Sequence, residues 1–481
     1  MDKYKKLASN TLIFAIGTFS SKALSFLLMP FVTAMMSTGN YGAADLIQQT
    51  VNVLIPIVTL QVNSAALRFS LDKAADKRDV FTVGVRTTLA GFAVFALLSP
   101  FISKISINDF NLGEYILLIV VFVLVSGFRQ LCQQFVRGSG YVKLFAIDGI
   151  IATATTLLFT ILFLGPFKWG ITGYVVAIIA SDFCSIVFFA LTAKLYRYVT
   201  PRLFTKGITG QMLKYCVPLI PTVILWWIIN VSDRYMVTYF INSSANGLYT
   251  AASKIPNFVI LFSQIFIDAW QLSAVDEYNA EDRSKFFTNV FRVYSGGVFA
   301  VASGLILTCQ LITKILVADS FYSSWQFVPI LIIATTYSCI VNFLASVYMA
   351  EKKSLMSLLT AMSGAVTNIV LNLVFIPKIG ANGAAVATVC AFLVVFVTRG
   401  LNTRRYIKIN FRLPIMLVET AVLITQSVLM LTLETGIRLY AFEAVLFALM
   451  LALNIKPLKE LAQLVLTKFL KRGKTEGQEN G

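Results

Sequence analysis

The 481-residue chain has no histidine, so it lacks the side chain most often used as a general base or metal ligand near neutral pH. No HExxH, GxSxG or G-x(4)-G-K-[ST] pattern occurs either. The sequence therefore gives no support to a zinc protease, a serine hydrolase or direct ATP hydrolysis. Charge is scarce as well: 13% of residues are charged and 57% are hydrophobic. Six cysteines, Cys132, Cys184, Cys216, Cys309, Cys339 and Cys390, all fall in apolar runs without CxxC spacing. They read as packing residues rather than disulfides or metal ligands. No cofactor-binding motif is present, and no cofactor is expected.

What is there is apolar length. Runs of roughly 17 to 25 residues, broken by polar or Gly/Pro turns, predict about fourteen transmembrane spans. Their approximate limits are 8–34, 41–65, 80–103, 114–136, 144–165, 170–193, 212–241, 246–271, 288–316, 326–349, 356–376, 381–399, 414–433 and 438–454. Nothing alternates with strand period, and backbone groups in lipid must bond within their own segment. The expected fold class is an all-α polytopic membrane protein.

Of the 40 Lys and Arg, about 30 fall in loops on the N-terminal side of the membrane and about five opposite. This bias puts both termini in the cytoplasm, and the even span count agrees. It also accounts for the net charge of +17 as retention signals spread over many loops, without nucleic acid. The first apolar run is longer than a signal-peptide core, so it is expected to remain as the first helix. At the other end, KPLKELAQLVLTKFLKRGKTEGQENG begins as an amphipathic helix suited to an anionic leaflet, and its last polar residues lack the hydrophobicity to fold.

The chain repeats itself. LGPFKWGITGYVVA has a second version in FIPKIGANGAAVAT: Pro166, Lys168, Gly170 and Gly173 stand near Pro377, Lys378, Gly380 and Gly383, with the glycines 210 positions apart. FTVGVR at 81–86 recurs as FTNVFR at 287–292, and Asn40-Tyr41-Gly42 compares with Asn246-Gly247. The glycine stretches are expected to be hairpin turns, not phosphate cradles. Each copy holds six spans, so the repeats are parallel. The expected organisation is a six-helix half over 1–198, a second over 199–406, two further helices over 407–455 and a cytoplasmic tail over 456–481.

These paired P-x(2 or 3)-G-x-x-G turns, the N-Y-G turn, Arg68-Phe69 and RGSGYVK before the fifth span resemble the oligosaccharide flippases. Those form the polysaccharide transporter branch of the multidrug/oligosaccharidyl-lipid/polysaccharide exporter superfamily. The resemblance covers roughly residues 8–406 and implies two six-helix halves around a central cavity, as in MATE transporters. It also implies outward movement of an undecaprenyl-pyrophosphate-linked oligosaccharide across the bacterial plasma membrane, alongside other polysaccharide-assembly proteins. Spans 13 and 14 compare with the two additional helices of the lipid II relatives, which help form a groove for the lipid tail.

Charges inside spans are expensive, so they mark candidate sites. The cations are Lys22, Arg86, Arg129, Arg234 and Lys254. Lys22, Arg234 and Lys254 are expected in the outer half, where the resemblance puts helices 1, 2, 7 and 8 around the cavity. With Arg129 they are the candidate ligands for the pyrophosphate, against snorkelling to the interface as the simpler alternative. The acids Asp233, Asp182, Asp148 and Asp268 are candidates for coupling to H+ or Na+. Asp182 reads equally as a structural acid or a partner for Arg129. A drug/cation antiporter of the same superfamily and a non-transporting envelope scaffold are the competing functions.

Overall fold

The computed structural model describes residues 26, 28–72, 75–200, 206–276, 283–351 and 353–460. Most of the expected first span, and the tail beyond 460, lie outside them. Among the described residues ten helices are long and apolar enough to cross a membrane, or eleven if one bent pair counts as a span. The chain divides into two compact units. One holds the described residues up to Thr250 together with Leu316–Phe321; the other holds Ala251–Ile315 and everything from Tyr322 onward.

In the first unit, helical residues 28–35 lead into α1 (Thr38–Val58), capped by the Ser37 hydroxyl accepting from the Asn40 amide, and α2 (Val62–Ser70). These two form the bent pair, at 59°. The bend follows Pro56, at Leu60 and Gln61, two non-glycine residues with φ of 49° and 55°. Consecutive left-handed residues cannot continue a right-handed helix. The expected span 41–65 is therefore broken near its end. α3 (Lys77–Ile102) begins at the Asp76 cap and is followed by a short hairpin, β1 (Ser106–Ile107) and β2 (Phe110–Asn111), paired antiparallel with Ser106 opposite Asn111.

Next come α4 (Ile116–Gly138), α5 (Val142–Leu164) and α6 (Gly170–Thr192), then α7 (Lys206–Cys216), a short 3-10 turn carrying Pro218, α8 (Ile220–Phe240) and α9 (Ser243–Ala252). α4 packs on α2, α3 and α6, and α1 packs on α4, α6 and α8. Two apolar clusters fill the interior, one around Val62, Phe81, Leu131 and Phe135, the other around Leu46, Ile47, Phe122 and Val175. Leu97, Phe101 and Leu117 instead stand out from the surface. Such side chains suit lipid, not water.

The second unit contains α10 (Asn257–Asp276), α11 (Arg283–Leu316), α12 (Val328–Ala350), α13 (Ser354–Ile379), α14 (Ala381–Thr403), α15 (Leu413–Thr432) and α16 (Ile437–Leu453). The expected span 246–271 is interrupted at residues 253–256, a turn that ends in Pro256. An aromatic core holds α10, α11 and α12: Trp270 stacks on Phe343 at 4.9 Å and meets Phe287 at 4.8 Å, while its Nε1 donates to the Ser346 hydroxyl at 2.9 Å.

Both glycine stretches are helical hairpin turns. Gly380, at φ 63°, is the lone residue between α13 and α14, and Gly170, at φ 56°, opens α6. A left-handed φ is cheap only without a Cβ. Three residues on, a Cβ at Gly383 would lie 2.4 Å from the Phe375 carbonyl, and one at Gly173 would lie 3.1 Å from the Phe163 carbonyl. Each hairpin thus uses one glycine to turn and another to close.

Candidate functional site

The polar interior of the first unit concentrates in two places. The first lies where α1, α8 and α9 meet. The starts of α1 and α9 are in backbone contact: a Cβ on Gly42 would fall 2.0 Å from the Ser243 carbonyl oxygen, and one on Gly247 would fall 1.9 Å from the Thr38 carbonyl oxygen. Asn246 Nδ2 donates to the Gly42 carbonyl at 3.0 Å. The residues that sequence comparison pairs between the repeats, Gly42 and Gly247, therefore touch each other. The β-hairpin braces this junction, with the Ser243 amide and hydroxyl both donating to Asp109 at 2.9 Å and Asn108 Nδ2 donating to the Ile241 carbonyl at 2.9 Å.

One turn further into α1 stands Asp45, 4% exposed. It forms an ion pair with Arg234 of α8 and accepts from Thr250 Oγ1 at 3.0 Å and from Gln49 Nε2 at 3.2 Å. Adjacent residues on a helix point about 100° apart. Asp233 accordingly turns away from this pair and accepts from the Tyr249 hydroxyl at 2.6 Å. Tyr235 and Thr50 share a 2.8 Å hydroxyl contact, and Trp227 Nε1 donates to the Gln49 carbonyl at 3.2 Å. These bonds fasten α1 to α8 and α9 through charged and hydroxyl groups that lipid could not solvate.

The second place lies between α4, α5 and α6. Arg129 Nη1 donates to Asp182 at 2.7 Å, and its Nη2 reaches Asp148 at 3.5 Å. The Ser126 hydroxyl also donates to Asp182, and Gln133 Nε2 donates to Asp148 at 3.4 Å. Both contacts to Asp148 fall on Oδ2; its Oδ1 is buried with no partner. Asp148 is fully buried and the Arg129 side chain keeps 24% exposure. At about 1.5 Å per residue, Asp148 lies about 9 Å from the start of α5, and Arg129 and Asp182 lie about 14–15 Å from the ends of α4 and α6. All three distances run from the same end of the bundle, where Lys77, Arg78, Arg137, Lys143, Lys194 and Arg197 gather.

The remaining candidates fall elsewhere. Lys22 lies outside the described residues, as does the side chain of Asp268 on α10. Lys254 is half-buried in the turn between α9 and α10, its amide donating to the Ala251 carbonyl at 3.2 Å. It belongs to the second unit, whereas Arg234 belongs to the first. Arg86 donates to the Thr200 carbonyl at 3.2 Å.

Two buried ionisable side chains of the second unit, Arg399 and Glu443, have no role assigned to them from the sequence. Arg399, at the edge of an expected span, is completely buried and donates to Val341 O at 3.0 Å, Thr360 Oγ1 at 3.1 Å and Ser357 Oγ at 3.2 Å. Glu443 is equally buried, accepts from Gln426 Nε2 at 2.9 Å and has an unpartnered Oε1. Only the in-span position of Glu443 signalled it. Nothing in the order of residues announced the acceptors around Arg399.

Among solved structures, the fold is similar to that of the lipid II flippase MurJ in an inward closed conformation, with a TM-score of 0.69 at 14% identity, covering 94% of this chain and 100% of that one. It is also similar to a Vibrio cholerae MATE transporter, with a TM-score of 0.60 at 14% identity, covering 84% and 99%. A transporter of the MOP superfamily from Pyrococcus furiosus gives 0.57 at 13% identity, covering 84% and 96%. At these identities the likeness concerns the fold. No curated protein sequence matches the chain. The sequence profile described as polysaccharide biosynthesis protein matches residues 7–270, more than half of the 481, and the chain belongs to that family.

Proposed function

We propose that the protein is a flippase that carries an undecaprenyl-pyrophosphate-linked oligosaccharide from the inner to the outer leaflet of the bacterial plasma membrane by alternating access. The product would feed surface polysaccharide or cell-wall synthesis. Membership of the polysaccharide biosynthesis family carries this reading. Transport rather than bond-making fits a chain without histidine whose fold is that of a flippase and of MATE transporters. Both termini would face the cytoplasm, by the distribution of Lys and Arg.

A pyrophosphate crossing about 30 Å of hydrocarbon needs compensating cations. Lys22, Arg234, Lys254 and Arg129 are the residues we assign to it. Arg234 and Arg129 already face aspartates, so they would join only by exchanging those partners. Energy would come from an H+ or Na+ gradient acting on buried acids, since one charge crossing 100 mV gains about 2.3 kcal/mol.

The test is movement of a fluorescent short-chain polyprenyl-pyrophosphate sugar into a protected leaflet of liposomes containing the purified protein. Transport that falls at least tenfold in Lys22→Ala or Lys254→Ala supports the assignment, and unchanged transport in both overturns it. Absence of transport by the unmodified protein overturns the function itself. A second reading, a cation-coupled drug antiporter, draws on one observation: each polar cluster of the first unit holds two aspartates to one arginine. Efflux of an organic cation such as ethidium, with no movement of the lipid-linked sugar, would favour it.

A further inference from the structure

Two basic pockets, one in each unit, open where α6 and α14 end. The first is a cavity of about 330 Å³ whose walls include Arg78, Tyr141, Lys194, Arg197 and Tyr198. The second, of about 550 Å³, is bounded by Arg404, Lys408, Asn410, Phe411, Leu413 and Pro414. Among the described residues no acid lines either one.

Cations in loops serve to retain them on one side of the membrane, but retention does not require them to share a pocket. Here the walls are fixed. Thr82 Oγ1 donates to the Tyr198 carbonyl and accepts from the Thr200 amide, both at 3.0 Å, and the Phe135 ring meets that of Tyr198 at 5.2 Å. Lys77 Nζ donates to the Ser139 carbonyl at 3.2 Å, holding the connection that carries Tyr141. At the second pocket the Asn410 amide donates to Thr288 Oγ1 at 3.1 Å, and Asn410 Oδ1 accepts from the Arg412 amide at 3.0 Å. Lys194 has a φ of 51° just past the cap of α6, a place where glycine is the least strained residue. A lysine there gains nothing locally, and its side chain reaches the pocket.

The helices leading to the pockets supply the other half of the arrangement. Val187 and Leu191 on α6 are exposed, as are Val397 and Leu401 on α14. Residues four apart share a helix face, so each pair forms an apolar stripe that runs toward its cations. Val187, Leu191 and Lys194 stand 210 positions before Val397, Leu401 and Arg404, the same separation as the repeated glycines. Stripe and cation recur as a unit, which suits a ligand anionic at one end and apolar at the other.

We propose that each pocket holds the headgroup phosphate of an anionic phospholipid whose acyl chain lies along the adjacent stripe. Arg78, Lys194 and Arg197 in one pocket, and Arg404 and Lys408 in the other, give the phosphate charge-assisted donors. A zwitterionic lipid is the poorer occupant, because the pocket cations repel its own. These sites do not depend on the flippase reading, since binding is read without transport.

Native mass spectrometry of the detergent-purified protein, titrated with dioleoyl phosphatidylglycerol or dioleoyl phosphatidylcholine, counts the retained lipids. Two phosphatidylglycerol molecules should be retained well below the concentration at which phosphatidylcholine binds. Lys194→Gly should weaken one of the two steps at least about fivefold, the effect of one cation at an anionic lipid surface, and adding Arg404→Gln should weaken the other. Glycine suits the left-handed backbone at 194, so in the absence of lipid this variant should unfold no earlier than the parent. A lost lipid is then a lost contact. Lys143→Gln removes a charge from the start of α5, outside the pocket, and should leave both steps unchanged. Equal retention of the two lipids, unchanged retention in the double variant, or a matching loss in Lys143→Gln overturns the proposal. So does displacement of the lipid by millimolar inorganic phosphate, which would make the pockets free-phosphate sites.

Discussion

Arg234 and Arg129 each share their surroundings with two aspartates, yet the two arrangements end differently. Around Arg234 the carboxylates are claimed by hydroxyls and amides: Thr250 and Gln49 serve Asp45, and Tyr249 serves Asp233. Those donors come from α1 and α9 while Arg234 and Asp233 stand on α8, so satisfying the charges also joins the helices. Around Arg129, Asp182 is served twice while Asp148 keeps an oxygen with nothing bonded to it. The first arrangement is a fastening. The second leaves one carboxylate oxygen unserved, and residue type alone does not separate them.

The most damaging way to probe the fastening is to remove one half of its ion pair. Asp45→Ala leaves a guanidinium in a membrane interior, and stripping one partner from a buried pair costs about 3–5 kcal/mol. Arg234→Ala should cost a similar amount. The double variant should cost clearly less than the sum of the two, because neither charge is then stranded. Thermal inactivation of the four proteins in one detergent measures this, and strict additivity would show that the pair carries no coupling.

A smaller effect is expected from the glycines. Gly42→Ala puts a methyl group 2.0 Å from the Ser243 carbonyl oxygen, a backbone atom that yields only if α1 and α9 separate. Overpacking of this kind costs about 1–3 kcal/mol. The readout is Ala44→Cys in a background without the native cysteines. Ala44 is completely buried, so a thiol there should react slowly with maleimide, and Gly42→Ala should raise its rate severalfold. An unchanged rate would mean that the helix starts absorb the methyl without parting.

How far could the sequence foresee these two clusters? It gave the helical class from apolar run length, and both hairpins from glycine spacing, because those signals are local. Asp233 and Arg234 were legible as diverging neighbours from helical geometry alone. The pairing of Asp45 with Arg234 was not, since 189 positions separate them and side-chain charge carries no address. Packing also cuts across the repeat: α8 lies beyond residue 198 in sequence yet packs with α1 in the first compact unit. The interruption at 253–256 was hidden because an apolar window averages over a turn, even one ending in Pro256.

Glu443 sharpens the contrast with Asp148 from the other side. It too is fully buried with one unpartnered oxygen, so an orphan oxygen alone does not set the two acids apart. What differs is the company. Gln426 donates to Glu443 and accepts from the Ser303 hydroxyl at 2.8 Å, and no ion pair to Glu443 occurs among the described residues. An ionised carboxylate there would bear its desolvation with no cation to offset it. Asp148 instead stands beside an arginine that another acid also holds. Glu443→Gln substitutes a neutral group of the same shape and should therefore change thermal stability by less than about 1 kcal/mol. A loss clearly above that would show that the Glu443 carboxyl makes a bond that an amide cannot replace.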